Sequence, residues 1–71
     1  MKTFTEYRNE IMLAINSKPS DWRAGQAAFN YVDNNYGVCN ILTGTDKDCF
    51  YNDNRIEDFI KATYLLYKIK T

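Results

Sequence analysis

Three acidic residues stand at the spacing of a calcium-binding loop. Asp46, Asp48 and Glu57 occupy the first, third and twelfth positions of a template in which oxygen atoms ligate the ion. The fifth position, however, is Phe50, whose side chain has no oxygen, and the sixth is Tyr51, where the sharp turn of the loop requires glycine. We therefore interpret this segment as a solvated acidic loop, with Glu57 serving as part of a helix cap, and expect no calcium site.

Cys39 and Cys49 are the only thiols in the chain, and the sequence contains no His. Without an imidazole, a thiol nucleophile lacks its usual base, and a zinc site of three or four Cys and His ligands cannot form. No secretory signal precedes the pair, which favours two reduced, partly buried thiols over a disulfide, although the disulfide stays open. Gly37 and Gly44 stand singly and do not make a phosphate-binding loop. The sequence thus predicts a protein without enzymatic activity, metal or cofactor.

The net charge of the chain indicates no particular class of partner, because nine basic residues balance nine acidic ones and the net charge is zero. This balance argues against a protein that coats nucleic acid and equally against a nucleic-acid mimic. No apolar run approaches the length of a membrane span, and the N-terminal segment is charged where a signal peptide is apolar. We expect a cytoplasmic protein with no membrane partner.

Helical spacing of apolar residues organises the chain. Residues 1–71 are predicted to form one domain, an all-α, compact three-helix bundle with a long ordered loop between helices 2 and 3. Helix 1 is capped by Thr3 or Thr5 and ends near Asn16, before the break at Pro19. Helix 3 begins at a capping box of Asn54 with Glu57, although the cap could also fall on a residue just before Asn54, either Asn52 or Asp53.

Helix 2 raises a question, because one position of its apolar stripe is a glycine. The predicted helix starts at Ser20 or Asp21 and stops at Gly37. Its stripe is Trp22, Gly25, Phe29, Val32 and Tyr36. Glycine inside a helix costs about 0.5–1 kcal/mol relative to alanine, so we expect a neighbour in close approach. A ring from Tyr7 or Tyr67 is the expected occupant, with a helix kink as the alternative.

The sixteen residues 38–53 are long for a connection without structure of its own, so something must hold them in place. We expect Val38, Cys39, Ile41 and Leu42 to lie on the core. We also expect Arg23 to pair with an Asp of this loop and Gln26 to bond loop backbone groups. The full set of predicted loop-anchoring residues is Trp22, Arg23, Gln26, Asp48, Phe50, Tyr51 and Asp53.

The segments WRAGQAAFNYVDNNYG, DCFYND and RIEDFI together resemble a pattern of small uncharacterised proteins from bacteriophages and prophages. The resemblance extends from Trp22 to Ile60. It implies a phage-type origin and a shared fold, and it carries no activity and no functional residue.

Several apolar side chains lie away from the core stripes of their own helices. Leu13, Leu65 and Ile69 point outward on helices 1 and 3, and Tyr31 joins Ala24 and Ala27 on a second face of helix 2. These positions predict a surface for another protein or for a second copy of the chain. The expected function is a small protein-binding module of phage type acting on a host or defence protein. The alternatives are a nucleic-acid-binding accessory protein and a self-assembling structural subunit.

Overall fold

The computed structural model describes residues 1–45 and 47–70, which fold into three α-helices without a β-strand. The helices are α1 (Phe4–Asn16), α2 (Ala24–Tyr36) and α3 (Ile56–Lys70). Two 3-10 helices, Cys39–Ile41 and Asp53–Arg55, lie in the connection between α2 and α3. The predicted all-α three-helix bundle is confirmed.

Helix α1 has the predicted boundaries, and a reciprocal cap explains where it begins. The Thr3 hydroxyl accepts a hydrogen bond from the Glu6 amide at 3.2 Å, and the Glu6 carboxylate accepts one from the Thr3 amide at 2.9 Å. This arrangement satisfies two backbone N–H groups that a helix N-terminus otherwise leaves unpaired.

Helix α2 begins later than predicted, at Ala24 rather than Ser20 or Asp21. The Trp22 amide donates to the Pro19 carbonyl oxygen in a turn, and Arg23 is extended with ψ at 156°. Trp22 therefore lies before the helix rather than on its stripe. At the other end Gly37 adopts the left-handed conformation with φ at 65°, as predicted.

Gly25 is buried and in contact with the backbone of the long loop, which answers the question that helix 2 raised. A Cβ atom at this position would lie 1.9 Å from the Cys49 carbonyl oxygen and 3.1 Å from a carboxylate oxygen of Asp53. The prediction that a ring of Tyr7 or Tyr67 fills the notch is wrong. The glycine is required because main chain, which cannot move aside, approaches α2 here.

The centre of the bundle is built around Tyr7, which is fully buried between α1 and α3. Its hydroxyl donates to Thr63 at 2.7 Å, and the Thr63 hydroxyl donates to the Phe59 carbonyl oxygen at 2.8 Å. The buried hydroxyl groups of Tyr7 and Thr63 are thus both hydrogen-bonded within the core. Three further tyrosine rings surround Tyr7 with centroids 5.2–5.7 Å away: Tyr36, Tyr64 and Tyr67.

Helix α3 is entered through a 3-10 turn whose cap is Asn52, one of the alternatives that the sequence left open. The Asn52 side chain accepts a hydrogen bond from the Asn54 amide at 3.0 Å. The preferred capping box of Asn54 with Glu57 is wrong, because Glu57 instead forms a salt bridge with Arg8 of α1. The long side chain of Glu57 therefore ties two helices together rather than closing its own helix end.

Candidate functional site

The loop between α2 and α3 is fastened to the first turn of α2. Asp53 accepts a hydrogen bond from the Gly25 amide at 2.9 Å, so a loop carboxylate occupies the positive end of the helix dipole. The Cys49 thiol donates to the Gly25 carbonyl oxygen at 3.3 Å. Arg23 donates to the Tyr51 carbonyl oxygen at 3.3 Å. Thus the loop is ordered by the N-terminal turn of α2.

Two of the predicted loop contacts are wrong in their partners. Arg23 bonds a loop carbonyl rather than an Asp, and Gln26 accepts a hydrogen bond from the Arg23 amide at 3.4 Å instead of reaching the loop. Trp22 lines a surface hollow with Pro19 and Tyr31 beside the connection of α1 to α2. Arg23 therefore holds the loop through a carbonyl oxygen, whereas Gln26 bonds within the start of α2.

Asp48 organises the part of the loop that precedes Tyr51 and Asp53. Its two carboxylate oxygens accept hydrogen bonds from the Gly44 amide at 2.9 Å and the Phe50 amide at 3.0 Å. The Phe50 ring packs edge-on against Phe29 of α2, with ring centroids 5.4 Å apart. Tyr51 is 79% exposed, and its carbonyl oxygen accepts the hydrogen bond from Arg23 that ties the loop to α2.

Two of the three residues that matched the calcium template have other tasks. Asp48 bonds loop amides, and Glu57 bonds Arg8. Asp46, the first position of the template, lies outside the described residues. Within residues 1–45 and 47–70, no three Asp, Glu or Cys side chains come together as a group that could hold a metal ion.

Cys39 and Cys49 are free thiols and fully buried. Burial, with a smaller contribution from neighbouring carboxylates, raises the pKa of each thiol to about 12. Both groups therefore stay protonated near neutral pH, where a nucleophile needs the thiolate.

Tyr31, predicted as an interaction residue, is partly buried and belongs to a polar cluster between α1 and α2. The hydroxyl groups of Tyr31 and Tyr36 both donate to the Glu10 carboxylate, which also forms a 2.6 Å salt bridge with Lys2. Ala27, on the same predicted second face, is buried as well. The prediction of a second, exposed apolar face on α2 is therefore wrong, because this side of α2 packs against α1.

The outer side of α3 carries two neighbouring exposed apolar side chains. Leu65 is 59% exposed and Ile69 is 82% exposed, and their spacing of four residues places them next to each other on the helix. Ile41, in the first 3-10 helix, is 67% exposed, whereas the sequence placed it on the core. A short 3-10 turn buries only some of its side chains, and here Cys39 and Leu42 take the inner positions.

Two hollows lie on either side of Leu65 and Ile69. One is lined entirely by apolar surface from Phe4, Lys61, Tyr64 and Leu65. The other is lined by Gly37, Val38, Asn40, Ile41, Leu66 and Ile69. Leu65, Ile69, Ile41 and these two hollows are hereafter called the α3 face. Leu13 is 66% exposed but lies on α1, outside both hollows.

Positive charge borders the α3 face. Lys61 and Lys68 are both exposed, and Lys68 places its ammonium 5.7 Å from the centroid of the Tyr64 ring. In the part of the chain that the structure describes, neither lysine takes part in a salt bridge. A hydrogen bond from Arg8 lowers the pKa of the Glu57 carboxyl, and the charge of Lys61 makes only a smaller contribution.

Comparison with family models, with curated proteins and with solved structures finds no match to this chain. No helix within the described residues is both long and apolar enough to span a membrane.

Proposed function

We propose that this protein is a small, non-enzymatic binding module that docks on another protein through the α3 face. The observation that carries the proposal is the exposure of Leu65, Ile69 and Ile41 beside two hollows whose surface is mostly apolar. Single exposed apolar side chains are ordinary, but a contiguous group with adjoining hollows is typical of an interaction site. Burying one such side chain is worth about 1.5–3 kcal/mol.

The chemistry of the remaining residues supports binding rather than catalysis. The two thiols are buried and protonated, and Asp48 and Asp53 are engaged by backbone amides. The resemblance to small bacteriophage proteins makes a host or defence protein in the cytoplasm the partner that we expect.

Two alternatives remain, and each has its own signature. A nucleic-acid-binding protein loses affinity steeply as salt rises, because phosphate contacts release counterions. A self-assembling subunit forms a defined oligomer without any foreign partner. The zero net charge disfavours the first alternative, and light scattering on the purified protein tests the second.

The proposal is tested with two leucines of similar exposure on different helices. Leu65→Glu places a charge in the α3 face, whereas Leu13→Glu places the same charge on α1. Each variant and the wild type are used to capture proteins from a bacterial lysate, and the amount of each captured protein is measured by quantitative mass spectrometry. We expect a partner that wild type and Leu13→Glu recover equally and that Leu65→Glu recovers at least about tenfold less.

Thermal unfolding of both variants is the control, because neither exposed substitution should change the melting temperature much. A partner that Leu65→Glu recovers as well as wild type contradicts the α3 face. If the purified protein forms an oligomer that Leu65→Glu dissociates, the face is a self-assembly surface and the proposal is wrong.

A further inference from the structure

Resting on this proposed function, we propose that the α3 face binds one short amphipathic helix of a partner protein, and that this helix is acidic along one edge. The proposal joins two independent properties of the face, namely its size and its charge. It identifies the partner by the chemistry that complements these properties.

The size of the face fits a single helix better than a second folded subunit. The two hollows and the ridge between them involve ten residues in all. A standard interface between folded proteins takes about 20–30 residues from each side. A helix lying in a groove, in contrast, uses a few apolar anchors three, four and seven residues apart. The ten-residue face is of the size that such a helix covers.

The shape of the face suits the same partner. Leu65 and Ile69 form a ridge along α3, with one hollow on each side of it. Apolar side chains on two neighbouring rows of a partner helix can enter the two hollows and enclose the ridge, as in ordinary helix packing. Ile41 also lines the second hollow and offers a further apolar contact.

The charge of the face specifies an acidic partner. Lys61 and Lys68 are seven residues apart and follow one edge of α3, which separates them by about 10.5 Å along the helix axis. Two carboxylates with the same spacing on a partner helix can therefore face both lysines. Of the acidic side chains on this helix, Glu57 is held by Arg8 and the exposed Asp58 lies two turns before Leu65. Both lie within one turn of Lys61, but in the described chain only Asp58 of the two is without a salt bridge, and no acidic residue of α3 lies within a turn of Lys68.

The test is selection from a random library of displayed peptides of about 16 residues, enough for four helical turns. We expect the enriched peptides to carry apolar residues four and seven positions apart and a net negative charge. Peptides that are enriched equally on wild type and on Leu65→Glu show that the α3 face is not the docking site, which contradicts the proposed function itself. Basic or uncharged peptides that do depend on Leu65 contradict only the present inference.

The charge is tested separately by measuring the affinity of an enriched peptide for two lysine variants. Lys61→Glu reverses a charge at the edge of the face, and Lys18→Glu makes the same change just beyond the end of α1. At low salt we expect Lys61→Glu to weaken binding about fivefold and Lys18→Glu to change it less than about twofold. Equal effects of the two variants overturn the inference.

Vesicles that contain anionic lipid are the remaining arm, because lysines beside apolar side chains also suit a membrane surface. One result overturns the inference in favour of a lipid surface: the wild-type protein sediments with such vesicles, Leu65→Glu abolishes this binding, and the library yields no acidic peptide. A library that yields no peptide at all also overturns it.

Discussion

At the scale of single residues, Gly25 shows how a general expectation can be right while its particular form is wrong. A glycine on a buried helix stripe correctly indicates a close approach, because glycine otherwise weakens a helix. The sequence pointed to an aromatic ring, but the approaching group is the Cys49 carbonyl, joined by the carboxylate of Asp53. A local sequence pattern cannot predict that a residue 24 positions further along the chain will contact this glycine.

The same contact makes Gly25→Ala a sharp test of the loop's attachment. In an isolated helix this substitution is stabilising, but here the new methyl group would lie 1.9 Å from a main-chain oxygen. We expect the free energy of unfolding to fall by about 1–3 kcal/mol, since the loop must move away from α2. Urea unfolding measures the change, and Asn34→Ala, at an exposed site on the same helix, is the control. An unchanged or raised stability would show that the loop is not held against α2.

At the scale of elements, the N-terminal segment before α1 connects all three helices. The Lys2 ammonium bonds Glu10 of α1 and lies 2.8 Å from the Tyr36 hydroxyl of α2, and the Lys2 carbonyl oxygen accepts from Tyr64 of α3 at 2.8 Å. The Lys2 amide donates to the Tyr67 hydroxyl at 3.3 Å. This role of Lys2 could not be predicted from the sequence, because a single charged residue outside a helix belongs to no periodic pattern.

The Glu10 carboxylate at the centre of this arrangement makes stability depend on pH. Partial burial by itself raises the pKa of Glu10, but hydrogen bonds from Lys2, Tyr36 and Tyr31 outweigh burial, so the pKa lies below its ordinary value. The unfolded chain therefore binds a proton more readily than the folded one. The resulting stabilisation is present above the ordinary glutamate pKa of about 4.3 and is lost as the pH falls through the lower folded value.

We therefore expect the wild type to lose stability between neutral and strongly acidic pH more steeply than Glu10→Gln does. Urea unfolding at a series of pH values measures both slopes. Because the pKa values of Glu6 and Glu57 are lowered too, the variant should keep part of the slope. Glu57→Gln, which removes a carboxylate on a different helix, is the comparison. Identical slopes for wild type and Glu10→Gln would mean that the cluster does not hold Glu10 ionised.

At the scale of the whole molecule, the helical content was predictable and the tertiary contacts of the polar residues were not. Apolar periodicity located α1 and α3 within a few residues, because that pattern is local and repeated. The start of α2 was missed because Ser20 and Asp21 are good caps, yet the turn between Pro19 and Trp22 delays the helix. Leu65 and Ile69 were recognised as outward positions by the same periodicity, whereas Ile41 lies in a 3-10 turn that has no such pattern.

The two buried thiols report whether the loop and the bundle unfold together. Cys39 packs against α2 with its thiol 3.6 Å from the Phe29 carbonyl oxygen, and Cys49 is bonded to Gly25, so both depend on the same helix. If the molecule unfolds as one unit, a thiol reagent modifies either cysteine only when the whole chain opens. We expect variants that retain one cysteine each, Cys39→Ala and Cys49→Ala, to be labelled at rates with the same dependence on urea. Fast labelling of either thiol, with little dependence on urea, would instead show that the part of the loop that carries it detaches while the three helices stay folded.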